Sequence, residues 1–244
     1  MKVGYFKEYS KVLEKDMEYK VYGEKGKPAI FFPSQDGRFY QHEDFGMIEV
    51  CRPFIEEEKL MVFCVDSIDQ ETWSAFDQPP RERILKHEAY VKYIMKEILP
   101  KTNQDGQKLL FAGVSLGAGH AANFFFRFPP VADCLIALSG MYSTRPFFGD
   151  YMDEDIYYNS ILDYLGNMTE DKHSELLSHF RESKIAICCG QGAYEELMLQ
   201  DIYRMKKVLV EKNIPALIDV WGTDVNHDWD WWQKQLAYFL KMFL

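Results

Sequence analysis

Short, unbroken apolar runs alternate with longer helical stretches along most of this chain, and that alternation narrows the folds open to it. Ala29-Ile30-Phe31-Phe32 is apolar at every position. A strand with that pattern suits a central place in a sheet, covered on both faces. Further strands read at Leu60 to Val65, Lys108 to Ala112, Cys134 to Leu138, Lys184 to Cys189 and Ala216 to Trp221. Between them lie helical stretches at about 47–58, 81–99, 116–128, 196–212 and 231–244. Pro100 and the Pro129-Pro130 pair are expected to stop the helices they follow, because proline cannot continue a helix. Alternating strands and helices imply an α/β domain with a mostly parallel sheet and helices on both faces. Val3 to Leu13 and Met17 to Tyr22 instead alternate apolar and polar residues, as an antiparallel pair across a turn at Glu14-Lys15-Asp16 would. The stretch 141–183, rich in Tyr, Asp and Asn, breaks the rhythm. It reads as an insertion of turns and short helices lying over the carboxyl ends of the strands. No repeat or linker divides the sequence, so one domain over 1–244 is expected.

The balance of 28 basic and 38 acidic residues gives a net charge of -10. Such a chain is poorly suited to nonspecific binding of nucleic acid or anionic membranes, which need a positive surface. The five cysteines, Cys51, Cys64, Cys134, Cys188 and Cys189, are odd in number and lie mostly in strand-like apolar runs. Buried reduced thiols in a reducing cytoplasm are the expectation. No C-x-x-C or His/Cys cluster suggests a metal. The first residues lack the long apolar core of a signal peptide, and no apolar run reaches spanning length.

The chemistry is signalled at Gly113-Val114-Ser115-Leu116-Gly117. This G-x-S-x-G follows the strand 108–112 and opens a helix, the context of a nucleophile elbow. The flanking glycines let strand and helix approach closely, and the helix N-terminus offers unpaired N–H groups for an oxyanion. A serine hydroxyl needs an imidazole to take its proton and a carboxylate to orient that imidazole. In this arrangement the order along the chain is serine, acid, histidine. Of six histidines, only His227 falls between the last strand and the last helix. His120 lies one turn into the helix after Ser115 and is expected to face its surroundings instead of the hydroxyl. His42 is placed near the oxyanion-side loop, in reach of substrate. The acid is expected in Gly190-Gln191-Gly192-Ala193-Tyr194-Glu195-Glu196. Glu195 is the first choice and Glu196 the second, with Asp224 and Asp228 as substitutes flanking the base and Asp201 farther along the helix. The oxyanion donors are read as the Leu116 N–H and a group from Gln35 or Ser34. Ser34 and the aromatics Trp73, Tyr142 and Trp229 are taken as substrate-binding, and Phe39, Tyr40 and Trp231 as further candidate walls.

Gly113 to His120, Leu138-Ser139-Gly140 and Asn226-His227-Asp228-Trp229-Asp230-Trp231-Trp232 together give the chain a family resemblance. It resembles an esterase family of α/β-hydrolases that includes esterase D (S-formylglutathione hydrolase), feruloyl and enterobactin esterases and the mycolyltransferases. Gly190-Gln191-Gly192 looks like the acid-bearing loop of esterase D, although glutamate stands where esterase D has aspartate; the mycolyltransferases use glutamate. The resemblance implies an α/β-hydrolase fold and a triad of Ser115, Glu195 and His227. The expected activity is hydrolysis of a small acyl ester or thioester without a cofactor. Acyl transfer on the same scaffold, or a binding protein without catalysis, are the alternatives. An exposed aromatic surface would also suit a homo-oligomer.

Overall fold

The computed structural model describes residues 1–102 and 106–244. Its frame is one eight-stranded sheet. The strands are β1 (Val3–Ser10), β2 (Lys15–Tyr22), β3 (Lys27–Phe32), β4 (Leu60–Val65), β5 (Leu109–Val114), β6 (Ala132–Leu138), β7 (Lys184–Cys189) and β8 (Leu217–Val220). Their spatial order is β1-β2-β4-β3-β5-β6-β7-β8. β1 and β2 pair antiparallel, β2 joins β4 antiparallel, and every later pair is parallel. The all-apolar runs are the central strands: every residue of β4 and β5 is buried.

Alternate residues of each strand point into different layers. Ile30, Phe32, Phe111, Leu135 and Ile187 face one core, and Phe31, Leu110, Ala112, Ile136 and Cys188 face the other. The second core is closed by α2 (Met47–Glu56), which follows the single turn α1 (Gln41–Asp44), and by the last helix. The first is closed by α3 (Pro80–Tyr93), with α4 (Leu99–Thr102) beyond it, and by α5 (Leu116–Arg127). α5 is buried on all sides from Leu116 to Phe126. Its Gly117, Ala118, Gly119, Ala121 and Ala122 let it lie close to the sheet, while Phe124, Phe125 and Phe126 fill the space below.

Several boundaries differ from the sequence reading. The first turn falls at 11–14, with Glu14 left-handed at φ 55, so β2 already begins at Lys15. Pro100 does not end its helix. The wide turn Ile94–Ile98 comes first, and its looser hydrogen bonding accommodates a residue without an N–H. The segment 141–183 holds α6 (Arg145–Phe148), α7 (Glu154–Tyr157), α8 (Ile161–Gly166) and α9 (Glu170–Glu182). Only its first part bears on the strand ends. α8 and α9 put Ile161, Leu165, Leu177 and Phe180 into the first core, as the crossover between β6 and β7. α10 (Glu196–Glu211) and α11 (Trp229–Phe243) complete the layers. All five cysteines are buried and unpaired, and no described helix is long and apolar enough to cross a membrane.

Candidate active site

Ser115 links β5 to α5 with φ 54 and ψ −128. A non-glycine residue held there stores about 1–3 kcal/mol of strain and persists only where the surroundings enforce it. They do: its N–H donates to the Leu138 carbonyl at 2.9 Å. A Cβ on Gly113 would meet the Gly117 carbonyl oxygen at 2.2 Å, and one on Gly117 would lie 2.0 Å from the Pro33 oxygen. Glycine at 117 is therefore what allows the loop after β3 to sit directly against the elbow.

His227 comes from the loop between β8 and α11. Its own N–H donates to the Ala193 carbonyl at 3.0 Å, which ties it to the loop after β7. The imidazole Nε2 lies 2.9 Å from Ser115 Oγ, and Nδ1 lies 3.4 Å from Glu195 Oε2. Glu195, at the head of α10, is 1% exposed. Its other oxygen accepts the Ser139 hydroxyl at 2.6 Å and the Gly190 N–H at 3.3 Å. Ser139 Oγ in turn accepts the Trp232 indole N–H at 3.0 Å. These partners assign the tautomer: with a carboxylate at Nδ1, that nitrogen carries the proton and Nε2 is free to accept from serine. The Trp232 ring stands edge-on to the imidazole, 4.8 Å away at 87°.

The alternatives for the acid lie elsewhere. Glu196 and Asp224 are exposed. Asp228 caps α11 by accepting the Asp230 N–H. Asp201 is buried and receives the Tyr142 and Ser143 N–H groups. Ser139 and Trp232 were not singled out as the hydrogen-bonded chain behind Glu195. The Leu-Ser-Gly and Asp-Trp-x-Trp-Trp motifs marked them, but their meeting across β6 and α11 shows only in three dimensions.

Leu116 opens α5, so its N–H has no acceptor within the helix. In the facing loop, the Ser34 N–H and hydroxyl are both committed to Gln41 Oε1, at 2.9 and 3.1 Å. That removes Ser34 as a free donor. The Gln35 side chain bonds Ser74 Oγ at 2.8 Å, and its backbone N–H has no partner among the described residues. Gln35 is itself exposed. His42 is fully buried with Nε2 2.9 Å from the Phe32 carbonyl, so it braces the end of β3 and does not face substrate.

Trp73 is 5% exposed, with its indole N–H on His87 Nδ1 at 2.9 Å. It packs edge-on to Phe147 and Phe148 in a cluster that includes Leu116, the residue after the serine. Phe147 and Phe148 of α6, and the exposed Phe76, extend that wall and were not anticipated. Tyr142 is corrected to a core residue: it is 1% exposed in the first core, with its ring against Gly140. Trp229 is half-buried, stacked on Phe45 at 4.6 Å and edge-on to His42 and Trp232, a brace beneath the His227 loop. Phe39 is buried, and Trp231 packs edge-on to Trp221, leaving Tyr40 as the exposed member of these walls. Among the described residues no three His, Cys, Asp or Glu side chains gather as metal ligands.

No protein-family model matches the sequence, and no curated protein does. Solved structures do. A ferulic acid esterase superposes with TM-score 0.76 at 18% identity, over 99% of this chain and 97% of its own. An S-formylglutathione hydrolase from Agrobacterium tumefaciens gives TM-score 0.73 at 15% identity, over 98% and 93%. The fluorophosphonate-binding serine hydrolase F of Staphylococcus aureus gives 0.66 at 16%, over 99% and 97%. At such identities the likeness establishes architecture alone. The strand order, the strained serine between β5 and α5, and these superpositions along nearly the whole chain identify it as an α/β-hydrolase fold.

Proposed function

We propose that the chain works as one domain, residues 1–244, and is a serine carboxylesterase acting on a small acyl ester or thioester. The observation that carries this is the unbroken relay from Glu195 through His227 to Ser115 Oγ on the elbow. Ser115 attacks the acyl carbonyl while His227 Nε2 takes its proton, and Glu195 stabilises the imidazolium that forms. The negative oxygen of the tetrahedral intermediate is received by the Leu116 and Gln35 backbone N–H groups. His227 then gives its proton to the leaving alcohol or thiol, and Ser115 is left acylated. Water, deprotonated by the same imidazole, attacks the acyl-enzyme; the acid leaves and the proton returns to serine. Every step moves a proton between groups of this chain and the reactants, so the cycle needs no cofactor. The aromatic wall of Trp73, Phe147 and Phe148 beside Leu116 supports an acyl pocket on that side. The esterase and serine hydrolase names of the structural neighbours point the same way.

The test is intact mass after a fluorophosphonate probe, alongside turnover of short-chain p-nitrophenyl esters and an acyl thioester. Wild type is expected to take one adduct and to hydrolyse the esters. Ser115→Ala should show neither, and His227→Ala should label and turn over at least about 1,000-fold more slowly. Folded wild type that neither labels nor hydrolyses would overturn the assignment.

A further inference from the structure

Below the loop that carries Gln35 runs a row of buried polar side chains that the proposed reaction does not use. Asp69, in the short turn Asp69–Glu71 after β4, is 2% exposed. His120 on α5 is 3% exposed, and its Nε2 lies 3.0 Å from Asp69 Oδ1. The imidazole is fixed on three sides: stacked on His87 at 5.1 Å, edge-on to Trp73 at 5.3 Å and to Phe32 at 6.5 Å. The second oxygen of Asp69 receives the backbone N–H of Asp36 at 3.4 Å. Asp36 is left-handed, with φ 58, a conformation that needs outside support in a residue with a side chain. The same turn holds the loop at a second point. The Ser74 N–H donates to the Asp69 carbonyl at 2.8 Å, and the Ser74 hydroxyl accepts from the Gln35 side chain. A carboxylate removed from water in this way is costly unless partners satisfy it, and His120 and the Asp36 N–H do so here.

The two oxyanion donors ride on different bodies. Leu116 belongs to α5, and Gln35 to the loop after β3. Beside the close packing of Gly117 on Pro33, Asp69 and His120 supply a side-chain link between those bodies, because His120 is on α5 and Asp69 grips the residue next to Gln35. We infer that Asp69 and His120 form a positioning pair that sets the Gln35 N–H against the elbow, so that both donors meet the same oxygen. Neither residue touches the reacting atoms. This role rests on the esterase reading above.

The experiment compares Asp69→Asn, His120→Gln and His120→Phe with wild type, in ester kinetics and in affinity for a boronic acid that forms a tetrahedral adduct on serine. Asp69→Asn and His120→Phe are expected to lose about 10- to 100-fold in kcat, as for a displaced oxyanion donor. KM should stay within about twofold, because ground-state binding is untouched. Boronate affinity should fall in parallel with kcat/KM, and the apparent pKa of the rate profile should not move. His120→Gln, which keeps a donor toward Asp69, should recover most of the loss. Asp69→Asn is nearly isosteric and keeps the test open if His120→Phe does not fold. Folded Asp69→Asn with wild-type kcat and boronate affinity would overturn the pairing, as would His120→Gln no better than His120→Phe. If wild type itself neither labels nor hydrolyses esters, the esterase reading fails first and takes this role with it.

Discussion

Replacing Ser139 by alanine takes a hydroxyl away from a carboxylate that has almost no access to water. Of the three donors to Glu195, Ser139 is the nearest, at 2.6 Å against 3.3 Å for Gly190 and 3.4 Å for His227. A hydrogen bond to a charged acceptor is worth about 1.5–3 kcal/mol. The same hydroxyl accepts the Trp232 indole N–H, and an orphaned buried donor costs about 1–3 kcal/mol more. Ser139→Ala should therefore lose about 2.5–6 kcal/mol, a large part of the roughly 5–15 kcal/mol that holds a domain folded. Ser139 is also left-handed, with φ 51. Glycine accepts that conformation without strain, so Ser139→Gly should be about 1 kcal/mol more stable than Ser139→Ala while losing the same bonds. Both should lose about tenfold or more in kcat, because a Glu195 less firmly held orients His227 less well. Urea unfolding followed by circular dichroism measures the first effect, and ester turnover of the folded variants the second. Ser139→Ala within about 1 kcal/mol and twofold in kcat of wild type would refute the argument that this hydroxyl anchors the acid.

Two further outcomes follow from backbone strain and burial. Tyr194 sits beside the acid with φ 65 and is 79% exposed; Tyr194→Gly should raise stability by about 1 kcal/mol, seen as a higher Tm, while Tyr194→Ala at the same φ should not. His42 is pulled down to about 4 by burial, against the bond to the Phe32 carbonyl. The unfolded chain, with histidine near 6.5, then binds the proton first, so stability is full above about pH 6.5 and falls by up to about 3 kcal/mol as pH drops to about 4. His42→Gln should flatten that slope in urea melts between those pH values. His87, also held well below its usual range by burial, keeps part of it.

The apolar runs were enough to find the central strands, because a parallel strand covered on both faces leaves no polar position to confuse the pattern. Ser115 and His227 could be singled out because each falls where the topology delivers a strand end to the same side of the sheet. The acid was harder. Glu195 and Glu196 are neighbours, and what distinguishes them is burial against Ser139 and Gly190, a property of how α10 starts and not of spacing. Aromatic residues were legible as a class but not one by one. Tyr142 and Trp73 read alike in sequence, yet Tyr142 packs into the first core and Trp73 beside the residue after the serine. α8 and α9 went unread as a crossover because the composition around them is polar. The few residues that bury them, Ile161, Leu165, Leu177 and Phe180, are spread over two helices.

The loops that bear Glu195 and His227 are laced to each other more tightly than to the serine. Gly192 N–H reaches the Val225 carbonyl at 2.8 Å, His227 N–H the Ala193 carbonyl at 3.0 Å, and Ala193 N–H the Asn226 side chain at 2.9 Å. Gly190 lies so close to Val225 that a Cβ would fall 1.9 Å from its oxygen. Acid and base thus form one cooperative unit at the edge of the sheet, where β8 is short and half-buried. Thermal opening of that edge would have to break the 2.6 Å bond from Ser139 to Glu195 before imidazole and carboxylate could lift together, leaving Ser115 on its helix in the centre of the sheet. The distance open to fluctuation is then the one between Ser115 and His227. In the proposed reaction, such an opening would part Ser115 from His227 reversibly and leave Glu195 and His227 paired.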